Sequence, residues 1–259
     1  MPETARDRFT STLNALDKEY ERIWKSGVKT SQEAVKALRD KIAVIISTGP
    51  ELSAENLDRI KDSIELAVSN YSDNFTNAIQ SEQENAWNNG LDIIDSSLTQ
   101  LGIGAIGGVS RAQLLVATSL SADLITGISA DTLTSINTAL STGIINGESV
   151  PQIMKNINNT LTKMPVSVDG AGRRYSTLYR SEMIARTEVS RAHTLASLQR
   201  LEQAKESVPN LKVEWVSEPD RCEKCAPFDG HIYDIDKLPE TPPVHPNCRC
   251  LLVPFIPEE

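Results

Sequence analysis

Between Ser53 and Leu101 the chain contains no proline and a single glycine, Gly90. Across that stretch Leu57, Ile60, Ile64, Val68, Tyr71, Phe75 and Ile79 recur at steps of three and four, the period that lines side chains along one face of an α-helix. The spacing predicts one very long helix, or two broken near Gly90. Aromatic residues are only 5% of the chain, so its cores have to be filled by Leu, Ile and Ala. Such a body suits an extended scaffold or an assembly surface better than an enzyme pocket.

The flanking segments carry the same rhythm. Phe9, Leu13, Leu16, Tyr20 and Ile23 mark a helix over 5–26, and Val35, Leu38, Ile42 and Ile45 mark another that Ser31 can cap and Gly49-Pro50 stops. A helical hairpin is the economical expectation. The run 101–109, LGIGAIGGV, holds four glycines and reads as a linker or a close-packing turn. It is not a dinucleotide fingerprint, which needs a strand before it and an acidic residue about 20 positions on. Beyond it, Ser110 and Ser129 each offer a helix start, Gly147 a stop, and Ser149 with Pro151 the next start. A long helix is expected over 174–207. After Pro209-Asn210 the texture changes: residues 211–217, 231–235 and 251–256 read as short strands.

These elements predict a mainly α protein, with an elongated helical N-terminal and central region and a small C-terminal α+β module. The expected divisions are 1–101, 102–172 and 173–259. Net charge is −9, which disfavours a free nucleic-acid binder because phosphate neutralisation needs clustered Lys and Arg. One local exception is 173–200, where six arginines face only Glu182 and Glu188. This reads as a solvated helix face, with phosphate or partner contact as the alternative. No segment resembles a signal peptide or a membrane span, so the chain is expected to be soluble and made inside the cell.

In that reducing setting the four cysteines are poor disulfide candidates. Cys222 and Cys225 form one Cys-x2-Cys turn, and His245-Pro-Asn-Cys248-Arg-Cys250 forms a second knuckle after a hairpin-sized insert. Each turn supplies two donors to one side of an ion, as a tetrahedral structural zinc requires. Five candidate ligands compete for four positions. Either Cys222, Cys225, His245 and one cysteine of the second knuckle bind, or all four cysteines do with His245 outside them. A closed four-ligand shell leaves no place for a reacting water, which argues against metal catalysis. A zinc deaminase would need His-x-Glu, and none of His193, His231 and His245 is followed that way. His193 and His231 read as packing or surface residues, and no catalytic or organic-cofactor constellation is expected.

Ala185-Arg186-Thr187-Glu188 on a helix, then Trp215, then Asp220-Arg221-Cys222-Glu-Lys-Cys225 with Gly230, then His245 to Cys250, together resemble the phage Mu F-type head morphogenesis family. The resemblance covers roughly residues 130–255, and residues 1–100 carry no assignable motif. It implies a minor head protein of a tailed phage, a non-enzymatic component present in few copies. Such a protein associates with the portal and the capsid or scaffold during procapsid assembly, with DNA contact and a part in packaging or delivery as further implications. Its place would be the virion, at the head interior or portal vertex, and the host cytoplasm during assembly. Within the motif Arg186, Thr187 and Glu188, read as a structural or partner motif, Arg186 and Glu188 are expected to form a charge pair that fixes the helix against the zinc module, a partner-binding or enzymatic role being the alternative.

Two other classes compete. A phage-delivered enzyme, a toxin-like effector or nuclease, would call for an added C-terminal segment, and the sequence runs only nine residues past Cys250. A zinc-containing nucleic-acid module would call for a basic knuckle, whereas residues 211–259 carry an acidic excess.

Overall fold

The computed structural model describes residues 5–100, 103–104, 107–168, 172–217 and 222–257, with side chains from Lys18 onward except at 167–168. Five helices dominate these residues: α1 (Ala5–Thr48), α2 (Leu57–Gln100), α3 (Ala112–Ile145), α4 (Val150–Thr162) and α5 (Thr177–Lys205). A short ribbon pairs β1 (Ser167–Val168) with β2 (Arg174–Tyr175), and three antiparallel strands form a C-terminal sheet in the order β4-β3-β5. These are β3 (Lys212–Val216), β4 (Ile232–Asp234) and β5 (Leu251–Phe255). The protein is mainly α with a small C-terminal sheet, as its periodicities predict.

The expected helical hairpin does not form, because α1 runs unbroken through Gly27 and Ser31. The buried stripe continues through the presumed break, from Tyr20 and Trp24 over Gly27 and Ser31 to Val35, Leu38 and Ile42. Ser31 is fully buried and donates its hydroxyl to the Val28 carbonyl 2.7 Å away, so it is an interior helix residue and not a cap. Ser129 behaves alike: its hydroxyl donates to Ile125 O at 2.8 Å, and α3 passes through it. Ser110 does act as a start, since its Oγ accepts the Ala112 N–H at 3.3 Å. Gly147 adopts φ +64° after α3, and Pro151 sits in the first turn of α4 behind Ser149, as expected. Of the run 101–109, Leu101, Gly102, Ala105 and Ile106 lie outside the described residues, as do the side chains of Phe9, Leu13 and Leu16.

The chain forms two compact units. The first comprises Met1–Gly27, Gln80–Ser119 and Arg186–Glu259; the second comprises Val28–Ile79 and Leu120–Ala185. In the second unit, Leu38 and Ile42 of α1 pack with Ile64 and Phe75 of α2, Ile125 and Leu140 of α3, Ile157 and Leu161 of α4 and Ile184 of α5. Two buried hydroxyl pairs cross this core, Tyr71 with Ser181 and Thr132 with Thr177, each at 2.8 Å. By length and composition α3 is the one helix among the described residues apolar enough to cross a membrane. Its Ile125, Ile128, Ile136 and Leu140 instead fill the core of this unit.

In the first unit, Ile93, Ile94 and Leu98 of α2 meet Leu201 and Ala204 of α5, with Leu211, Val213 and Ile235 from the sheet region. The helices approach closely at Gly90, where a Cβ would stand 2.4 Å from the His193 carbonyl oxygen. Ser197 donates to the Gly90 carbonyl at 3.1 Å across the same contact. Alternation along β3 buries Val213 and Trp215, and Trp215 thereby becomes the floor of the Cys/His cluster.

Candidate metal centre

Both knuckles are tight turns built by their own backbones. Cys225 and Ala226 donate their N–H groups to the Cys222 carbonyl at 3.0 Å, and Cys248 donates to the His245 carbonyl at 3.1 Å. Between His245 and Cys248 the chain turns at Asn247, whose φ of 63° lies in the left-handed region that asparagine tolerates. The turns bring the five candidates together in two overlapping triads. Ligand atoms of Cys222, Cys225 and His245 lie within 4.8 Å of one another, as do those of Cys225, Cys248 and Cys250.

Nε2 of His245 lies 3.0 Å from both Cys222 Sγ and Cys225 Sγ, and Cys225 Sγ lies 3.9 Å from Cys248 Sγ. The sulfur separation is near the ~3.8 Å edge that two 2.3 Å zinc–thiolate bonds span in a tetrahedron. All four cysteines are free thiols. Nδ1 of His245 lies 2.7 Å from the Pro246 carbonyl, to which its N–H can donate. That bond leaves Nε2 with the lone pair a metal needs. Cys250 Sγ sits 3.3 Å from the Ser217 hydroxyl. Trp215 and Phe228, with ring centroids 4.7 Å apart, pack against the buried thiols of Cys225, Cys248 and Cys250, while Cys222 is exposed.

The thiols are electrostatically unlike. Burial pushes Cys225 up to about 12. The hydrogen bond to Cys250 raises Cys248 further, and the same bond, aided by Ser217, holds Cys250 down at about 5. Thiols gathered in this way suit a soft cation, which would draw their remaining protons off on binding. The five residues form a cluster that could hold a metal ion.

The Arg-Thr-Glu segment of α5 meets the second knuckle directly. Thr187 Oγ1 accepts the Asn247 backbone N–H at 3.0 Å, and Arg186 Nη1 donates to Asn247 Oδ1 at 3.4 Å. The Arg186 guanidinium also lies 4.8 Å from the centre of the Trp24 ring, with that of Arg249 at 5.9 Å. Glu188, 2% exposed, pairs with Arg191 at 2.9 Å, one turn along the helix. Positions two apart on a helix do not face each other, so the contact expected of Arg186 and Glu188 is made through Asn247 and Arg191 instead. Trp24 and Ser217 carry no signal in the sequence, and Asn247 and Arg249 enter it only as members of the second knuckle. Only the spacing of the His-Pro-x-Cys knuckle hinted at a turn residue there. Asp220 and Arg221 lie outside the described residues. His193 is buried against Tyr20, ring centroids 4.5 Å apart, and His231 is exposed.

Fold and site together define a mainly helical protein with a C-terminal Cys/His module that can hold a metal. Residues 134–253 match the family model described as Phage Mu protein F like protein, the family their motifs resemble. That segment takes in α4, α5, β3, β4, the start of β5 and all five candidate ligands. Comparison with curated proteins and with solved structures finds no match.

Proposed function

We propose that this chain is a minor head protein that acts in procapsid assembly at the portal, and that its Cys/His module holds one structural zinc. Cys222, Cys225, His245 and Cys248 are the ligands in this reading, with Cys250 beside them accepting from Ser217. The donor chemistry supports zinc: soft thiolates with one imidazole, gathered on two facing turns. Four protein ligands would close the coordination shell, so the metal's part is to hold the two knuckles together and not to activate water.

The observation that carries the assembly reading is the joining of the Arg-Thr-Glu helix to the second knuckle through Asn247, inside the segment that matches the phage family. A metal-stapled turn locked to a long helix is a rigid platform, as a docking protein needs, and the net charge of −9 adds no general affinity for DNA. The role is assembly rather than catalysis, with the protein resident in the virion head or portal vertex. The test is a pull-down of the full chain against the portal protein of the same phage. Retention of the chain by assembled portal, lost when metal is stripped, is the expected result. Equal retention by unrelated protein rings would overturn it.

A further inference from the structure

The four thiols of the Cys/His module differ in access: Cys222 is exposed, whereas Cys225, Cys248 and Cys250 are buried. An oxidant in solution therefore meets Cys222 first, because thiol oxidation follows access as well as thiolate character. The Cys222 sulfur lies within 4.8 Å of the Cys225 sulfur, in the triad the two share with His245. Cys248 and Cys250 fall in the other triad, which has only Cys225 in common with the first. Cys222 thus has one resolving thiol at hand. That thiol sits on the same turn, where the Cys225 N–H donates to the Cys222 carbonyl at 3.0 Å.

We propose that Cys222 and Cys225 are a peroxide-sensitive pair, and that joining them dismantles the metal centre. The inference rests on the zinc reading above, since a thiol that ligates a metal is deprotonated and the thiolate is the nucleophile. Cys222 attacks hydrogen peroxide; the O–O bond breaks, the sulfur becomes a sulfenic acid, and hydroxide takes up a proton and leaves as water. The Cys225 thiolate then attacks the Cys222 sulfur; the S–O bond breaks and, with a second proton, a second water leaves. In sum, two thiolates, one hydrogen peroxide and two protons give one disulfide and two waters. The two electrons lost by the sulfurs go to the peroxide. Of the five candidate ligands only His245, Cys248 and Cys250 then remain, too few for a closed shell of four. The loss follows whichever four of the five bind. Cys225 is the vulnerable point, because both triads depend on it.

The experiment uses the full chain, purified with reductant, freed of it under nitrogen, and assayed for zinc. It is titrated with hydrogen peroxide while released zinc is read with a colorimetric chelator. Disulfides are located by peptide mass mapping after alkylation of the remaining thiols. A Cys222–Cys225 disulfide that forms in step with zinc loss, before any bond to Cys248 or Cys250, is the expected result. Dithiothreitol and added zinc should reverse it. Cys222→Ser should abolish that disulfide and slow the loss of the other thiols. Should this variant fold poorly, brief alkylation of the parent chain reads the same access and is expected to label Cys222 ahead of the other three. Two results overturn the proposal. One is zinc retained, with Cys222 and Cys225 still open to alkylation, at a peroxide dose that oxidises the exposed Met164. The other is a first disulfide between any other pair. A reduced chain without zinc would contradict the zinc reading alone, and the disulfide map would still decide whether Cys222 and Cys225 couple.

Discussion

Thr187 joins the helix to the knuckle through one hydroxyl oxygen that accepts the Asn247 N–H at 3.0 Å. Thr187→Val keeps the shape of the side chain and leaves that N–H without its acceptor, at a cost of about 1–3 kcal/mol. Thermal unfolding of the metal-loaded chain should show this loss, and Thr187→Ser should restore most of it. His193 offers a second residue-scale test. Its nitrogens are buried without partners, and burial lowers its pKa from 6.5 to about 3. The folded state therefore resists the proton that the unfolded state accepts. Stability from this residue is complete above pH 6.5 and is lost as pH falls towards 3, by on the order of 4 kcal/mol. His193→Phe should flatten that acid limb in urea unfolding measured from pH 7 to 4, while leaving stability near neutral pH little changed. An acid limb identical to that of the parent chain would mean that other groups cause it.

At the scale of elements, what the sequence revealed and what it hid have separate physical causes. The three strands were legible because alternation has one meaning on a pleated strand, and Trp215 and Val213 fall on the buried face as their spacing requires. The two Cys/His turns were legible because ligand spacing is local. Helix boundaries were not, because a serine has the same chemistry as a cap and as an interior residue that bonds back to its own helix. Ser31 and Ser129 take the second role, since the buried stripes run straight through them. Long-range partners such as Asn247 and Trp24 had no periodic signal at all; only folding brings α1, α5 and the second knuckle together. Gly90 shows how an apparent weak point becomes a packing requirement. In an open helix Gly→Ala would stabilise by about 1 kcal/mol. Here the new Cβ would meet the His193 carbonyl at 2.4 Å, so Gly90→Ala should lower the melting temperature, by the equivalent of about 1–3 kcal/mol. A rise would show that α2 and α5 can separate at no cost.

For the molecule as a whole, the first unit gathers the start of α1, the end of α2 and the end of α5 around the sheet and the Cys/His module. The Cys/His cluster thus belongs to the same compact unit as the start of α1. A metal held there would supply what a three-stranded sheet of five, three and five residues cannot obtain from apolar burial alone. The account rests on that cluster holding a metal, and the most direct measurement is elemental analysis of the purified, reduced full chain, with thermal unfolding before and after chelation. One zinc per chain, and a melting transition that falls on chelation and recovers when zinc is returned, is the predicted result. A chain that carries no metal, takes up none, and unfolds at the same temperature with or without chelator would contradict it.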